Sequence, residues 1–130
     1  MTEFALVAAG GAAGSVLRVV VAENVTRSRA ANFPFGTLVV NVTGAALLGL
    51  LAPFLARDVP AGIAGLTPLF VAGLLGAYTT VSSFSLQTLL LIREGGWGRA
   101  CLNVAGSVAL CLAAAGVGMA LGAALAGAIA

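Results

Sequence analysis

The chain has 130 residues, 61% of them hydrophobic and only 8% charged. A soluble domain carries about 25% charged residues, so the composition excludes a water-soluble globule and describes one small membrane-embedded helical bundle. Six arginines against four acids leave a net charge of +2, with no lysine or histidine; so small and dispersed a charge excludes a nucleic-acid partner.

A helix needs about 20 apolar residues to cross the hydrocarbon. Charged residues divide the chain into four such spans, about 4–22, 36–56, 62–92 and 100–126, which form a single transmembrane domain. The fold class expected is all-α, with a lipid bilayer as its surroundings.

The first span carries Arg18 near its end, with Ser15 close by. Arg18 either snorkels to the interface, anchors a neighbouring carbonyl or attracts anions at a pore mouth. The N-terminus lacks a basic segment, and Gly10-Gly11 and Arg18 interrupt the apolar stretch, so no cleavable signal is expected. Gly10 and Gly14 are four apart, as are Gly118 and Gly122 in the fourth span. Small residues at that spacing allow close helix approach in lipid.

After a short connection at Glu23–Phe35, Pro34-Phe35-Gly36 marks the start of the second span. Thr37 and Asn41 share one face of it. An asparagine at membrane depth either makes a helix–helix hydrogen bond or offers its amide to a permeating anion.

The third span follows a connection at Arg57–Ala61 and is too long for a straight crossing. Pro60 and Pro68 flank its start. Gly73 and Gly76 precede Thr79-Thr80, a pattern that predicts an interrupted helix with freed carbonyls. Carbonyl oxygens are hard-cation ligands, so either a bound ion or a packed loop would satisfy them. Eight of the thirteen side chains from Gly76 to Thr88 carry a hydroxyl or amide, among them Tyr78, Thr80, Ser83 and Gln87. Polar groups at this depth are costly unless they face protein, water or a solute. The segment therefore reads as the lining of a pathway. Phe84 adds a ring whose electropositive edge suits an anion, unless it simply packs.

The third connection is Arg93–Arg99. In the fourth span Asn103, Ser107 and Cys111 repeat at intervals of four and form a weakly polar stripe. Uncharged donors suit an anion that must bind and then leave; packing and local back-bonding of the serine are the other reading. Cys101 and Cys111, about 15 Å apart along a helix, are too distant for a disulfide and read as small buried hydrophobes.

The first and third connections hold Arg27, Arg29, Arg93 and Arg99, whereas the second holds only Arg57. The positive-inside rule then turns both termini outward, with dual insertion open to so short a chain. Four thin helices make a poor pathway alone, so an oligomer is expected.

Taken together, these segments resemble the Fluc/CrcB fluoride channels along nearly the whole chain. Gly10-Gly11-Ala12-Ala13-Gly14-Ser15-Val16-Leu17-Arg18 resembles the family's glycine-rich first helix ending in arginine. Phe35-Gly36-Thr37-Leu38-Val39-Val40-Asn41-Val42-Thr43-Gly44 is similar to its Gly-Thr-Leu-x-x-Asn-x-x-Gly signature. Gly73-Leu74-Leu75-Gly76-Ala77-Tyr78-Thr79-Thr80-Val81-Ser82-Ser83-Phe84-Ser85 resembles its third-helix core. The resemblance implies an antiparallel, dual-topology dimer in the cell membrane with a broken third helix and two narrow pores. Each pore would pass fluoride out of the cell by passive electrodiffusion. It also implies a structural sodium ion, not transported, held on the dimer axis by backbone carbonyls that map onto Gly76 and Thr79. Asn41, Phe84 and Ser107 match pore positions, and Thr37, Thr80 and Ser83 join the implied anion pathway.

Some positions depart from the family pattern. Val81 stands where the first pore phenylalanine is expected, and Gln87 where glutamate is common. Asn103 and Cys111 replace the usual tyrosine and serine of the fourth-helix track. These changes leave two versions open: a homodimer, or a heterodimer with an inverted paralogue in which this subunit has lost pore residues. A conduction-deficient partner subunit is the limiting form of the second. A small multidrug exporter is also a four-helix dimer, but it would want a carboxylate inside the first span; Glu3, Glu23, Asp58 and Glu94 all lie at span ends or in connections. No histidine, buried acid pair or nucleophile–base spacing points to an enzyme.

Overall fold

The computed structural model describes residues 1–28, 32–56 and 65–128. Arg29, Arg57, Asp58, Pro60, the second connection and the expected start of the third span near Gly62 lie outside the described residues. The regular elements among the described residues are all helices, without a strand: α1 (Thr2–Arg27), α2 (Phe35–Leu55), α3 (Pro68–Leu75), α4 (Gly76–Tyr78), α5 (Val81–Arg93) and α6 (Trp97–Ala128). Four stretches are long and apolar enough to cross a membrane: α1, α2, the run Pro68–Arg93, and α6.

α1 continues past the expected end at Ala22 as far as Arg27. Two side chains extend it: Arg27 pairs with Glu23 one turn back at 3.2 Å, and Thr26 Oγ1 donates to the carbonyl of Ala22 at 2.7 Å. An exposed (i, i+4) pair adds only a few tenths of a kcal/mol, enough to favour one more turn at a helix end.

Helix α1 packs chiefly on α3, and α2 on α6. Both contacts are made through glycine. A Cβ on Gly14 would overlap the carbonyl oxygen of Leu74, and one on Gly10 that of Leu69. Across the other pair, a Cβ on Gly49 would overlap the Ala115 carbonyl, and Cβ atoms on Gly118 and Gly122 those of Ala46 and Leu50. With no hydrophobic driving force between helices in lipid, close backbone contact supplies the attraction. The outward faces carry exposed apolar side chains, among them Val16, Leu17 and Val20 on α1 and Leu102, Leu112 and Leu121 on α6, as lipid contact or a further protein surface requires.

Along the third span the backbone changes character twice. α3 is wound with the wider π repeat, and its last amide, Gly76 N–H, reaches the carbonyls of both Val71 and Gly73. After the short turn of α4, Thr79 (φ −76°, ψ 155°) and Thr80 (φ −150°, ψ 119°) are extended, and α5 starts at Val81. The Thr80 side chain caps α5 by accepting from Ser83 N–H at 3.2 Å, a standard device for an orphan amide at a helix N-terminus.

Arg99 at the start of α6 donates to the carbonyl of Asn32 in the first connection at 3.1 Å and lies 3.8 Å from Glu94. The first and third connections therefore meet at one end of the bundle.

Candidate functional site

The stretch Tyr78-Thr79-Thr80 meets α2 at three neighbouring residues of that helix. Asn41 Oδ1 accepts from Thr80 N–H at 2.8 Å, and Asn41 Nδ2 donates to the Thr80 carbonyl at 2.9 Å. Thr43 and Tyr78 hydroxyls are 2.9 Å apart. At Gly44 a Cβ would overlap Thr79 Cγ2. Glycine is required there by the closeness of the two chains.

These contacts redirect the backbone bonds of the third span. Thr79 N–H and Thr79 Oγ1 both donate to Leu75 O, each at 3.1 Å. In an uninterrupted helix Thr80 N–H would serve the Gly76 carbonyl and Ser83 N–H the Thr79 carbonyl. Here the first goes to Asn41 and the second to Thr80 Oγ1.

A groove of about 360 Å³ opens beside this junction, lined by Asn41, Gly76, Thr79, Thr80, Val81 and Cys111 together with apolar residues such as Leu48 and Val71. None of its lining residues is charged. Its surface is mostly apolar, and Asn41, Thr79 and Thr80 bring only a few polar atoms to it. Val81, at 76% exposure, is its most open large side chain.

Thr37 and Gln87 meet elsewhere, in a depression of about 350 Å³ with Ala22, Glu23, Thr26 and Arg27. Gln87 Oε1 is buried there without a hydrogen-bond partner among the described residues. Gln87 also borders a cavity of about 370 Å³ lined by Asn32, Glu94 and Arg99.

Asn103, Ser107, Ser83, Phe84 and Arg18 line neither the groove nor the Thr37–Gln87 depression. Asn103, 2% exposed, donates to Thr88 Oγ1 at 2.9 Å, and Thr88 Oγ1 donates to the Phe84 carbonyl at 2.8 Å. Ser107 is buried on α6. Ser83 bonds to Thr80 through both its amide and its hydroxyl. Phe84 and Arg18 are half-buried.

Thr43 and Gly44 enter the sequence reading only as the end of the second-span signature, and Thr88 only as a member of the polar run from Gly76 to Thr88. The cap at Thr80 carries only half of the usual N-terminal signal: a threonine stands just before the helix, but serine, not glutamate or glutamine, lies three residues on.

Residues 5–119 match the family described as CrcB-like protein, Camphor Resistance (CrcB). The chain belongs to the CrcB family. Among its CrcB relatives, the fluoride-specific ion channel FluC of Opitutus terrae is 45% identical over 91% of this chain and 90% of its own length. FluC of Paramagnetospirillum magneticum is 45% identical over 91% of this chain and 93% of its own length. FluC of Agrobacterium fabrum is 43% identical, with 94% and 97% covered. Membership of CrcB and the four long apolar helices describe a multi-pass integral protein of the cell membrane.

Proposed function

We propose that this chain is a subunit of a fluoride-specific channel that lets cytoplasmic fluoride leave by passive electrodiffusion, and that it is not an enzyme. The observation that carries this reading is the near full-length similarity to relatives named fluoride-specific ion channels. The polar groups that Asn41 and Thr80 bring to the groove agree with it, because they are uncharged, and neutral donors bind an anion weakly enough to release it. Asn41 uses Oδ1 and one N–H on Thr80. Its carboxamide has a second N–H, available to an anion in the groove. Thr80, Ser83, Ser107, Thr37 and Phe84 complete the pathway in a dimer.

The working form is an antiparallel, dual-topology dimer with the third span broken at Thr79-Thr80. A structural sodium ion, not transported, is held by the carbonyls of Gly76 and Thr79. The donor set fits: both carbonyls lose their usual helical amide to another acceptor, and neutral oxygens suit a hard monovalent cation. The ion would supply positive charge that neutralises converging carbonyl dipoles.

A heterodimer with an inverted paralogue, this chain being the weaker conductor, is the second reading. It is favoured by Val81, whose exposed side chain lines the groove where an aromatic ring is expected.

Fluoride efflux from liposomes containing this chain alone, with sodium present and chloride as control, tests both. Fluoride flux without chloride flux is expected for a homodimeric channel. No flux from folded protein would overturn the homodimer and favour the paired form. Equal chloride flux would overturn fluoride selectivity.

A further inference from the structure

The polar contacts around Thr80 have a common result that the pathway reading does not need. Its N–H and C=O both bond to one side chain, Asn41. Its hydroxyl is taken by Ser83 N–H, with the Ser82 and Ser83 hydroxyls each at 3.1 Å. An extended residue exposes one donor and one acceptor to a flank, as a strand does to its neighbour. Alone among helices it would leave both unsatisfied at membrane depth, where an unpaired backbone group is costly.

We propose that Asn41 is a positioning residue: its carboxamide acts as a one-residue strand partner for Thr80 and holds the carbonyls of Gly76 and Thr79 out of helical bonding. Only asparagine suits this place. A carboxamide has an acceptor and a donor on one rigid plane. Aspartate lacks the donor, and its second oxygen would face the Thr80 carbonyl. Leucine lacks both, and glutamine is one methylene longer. The approach of Thr79 across Gly44 and the Thr43–Tyr78 contact bring the two chains close enough for the short side chain to reach.

The part of this inference concerning Gly76 and Thr79 rests on the sodium reading above, whereas the hold on Thr80 does not. Two measurements on the full chain in nanodiscs separate them. The first is amide hydrogen exchange in fragments covering Thr79–Ser83, corrected for intrinsic rates. Loss of the acceptor predicts that protection of Thr80 falls roughly 10-fold or more in Asn41→Ala, and repulsion between the carboxylate and the Thr80 carbonyl predicts a fall at neutral pH in Asn41→Asp. A neutral carboxylic acid has the same donor and acceptor as the amide. On acidification the neutral acid restores the donor, so protection in Asn41→Asp recovers while Asn41→Ala shows no recovery. Cys111 is the one titratable side chain among the residues lining the groove. Asn41→Asp carries the test by itself where Asn41→Ala does not fold. Parent-like protection in either variant at neutral pH overturns the inference, as does an Asn41→Asp that gains nothing on acidification. The second measurement is thermal stabilisation by sodium against N-methylglucamine. The parent is stabilised, and the variants need at least about 10-fold more sodium for the same effect. A parent indifferent to sodium overturns the sodium reading alone, because the exchange data still judge the hold on Thr80.

Discussion

Tyr78 and Thr43 join the last turn before the extended pair to the middle of α2 through a 2.9 Å contact between hydroxyls. Thr43 Oγ1 lies 2.7 Å from the carbonyl of Val39 and 3.1 Å from that of Val40, and donates its proton there. Tyr78 is therefore the donor to Thr43. The two partners are not equivalent. Tyr78→Phe leaves Thr43 satisfied by its own helix and is expected to cost about 0.5–1.5 kcal/mol. Thr43→Val leaves the hydroxyl of a tyrosine only 8% exposed without its acceptor, and should cost more, about 1–3 kcal/mol. Thermal unfolding of the two variants side by side checks the order.

Glycine contacts give a second contrast. At Gly14 a Cβ would overlap the backbone of Leu74, which cannot rotate away, whereas nothing lies within 4 Å of a Cβ on Gly116. Gly14→Ala is expected to force α1 off α3 and lose about 1–3 kcal/mol or more. Gly116→Ala leaves the isolated subunit's stability unchanged or slightly raised. Loss of dimer in Gly116→Ala, with the subunit still folded, would mark that face of α6 as covered by a partner.

Val81 has room for a larger side chain, at 76% exposure. Val81→Phe should raise fluoride flux in liposomes. Aromatic contacts of about 0.5–1.5 kcal/mol correspond to a roughly 2- to 10-fold gain. An unchanged rate would assign the limit to a partner subunit or to another residue of the groove.

Asn103 and Thr88 tie α6 to α5. Interhelical hydrogen bonds within bilayers average about 0.6 kcal/mol, so a double-mutant cycle with Asn103→Ala and Thr88→Val is expected to give a coupling near that value. The single Asn103→Ala should cost more, about 1–3 kcal/mol, because it also empties a buried position. Urea or thermal titrations of the four proteins measure both quantities.

Much of this arrangement was legible in the sequence. Charges at Arg93 and Glu94 mark the end of the third span, and the glycine pairs at 10 and 14 and at 118 and 122 fall at close helix contacts. The polar run from Gly76 to Thr88 stood out because lipid gives it no reason to exist, and the structure brings Asn41 to it. The partner of each polar group was not legible. Nothing in residue spacing tells Asn41 to address the backbone of Thr80 rather than its hydroxyl, or places Thr37 beside a different depression from the groove that Asn41 lines. Those outcomes depend on how far α1 extends and how closely α2 approaches at Gly44, which are settled by packing across distant segments. The extension of α1 takes in Glu23 and Arg27, which read from sequence as loop charges.

The contact between Asn41 and Thr80 joins a side chain to a backbone. Backbone is common to every amino acid except proline at the amide, so the bond is blind to which residue stands at position 80. Inheritance at the two positions is then uneven. Position 80 can drift among residues able to cap α5, such as serine, aspartate or asparagine, while position 41 has no substitute of equal reach. Related sequences would record this as variation at one site beside constancy at the other, and the pair would leave no trace of correlated change although its atoms touch.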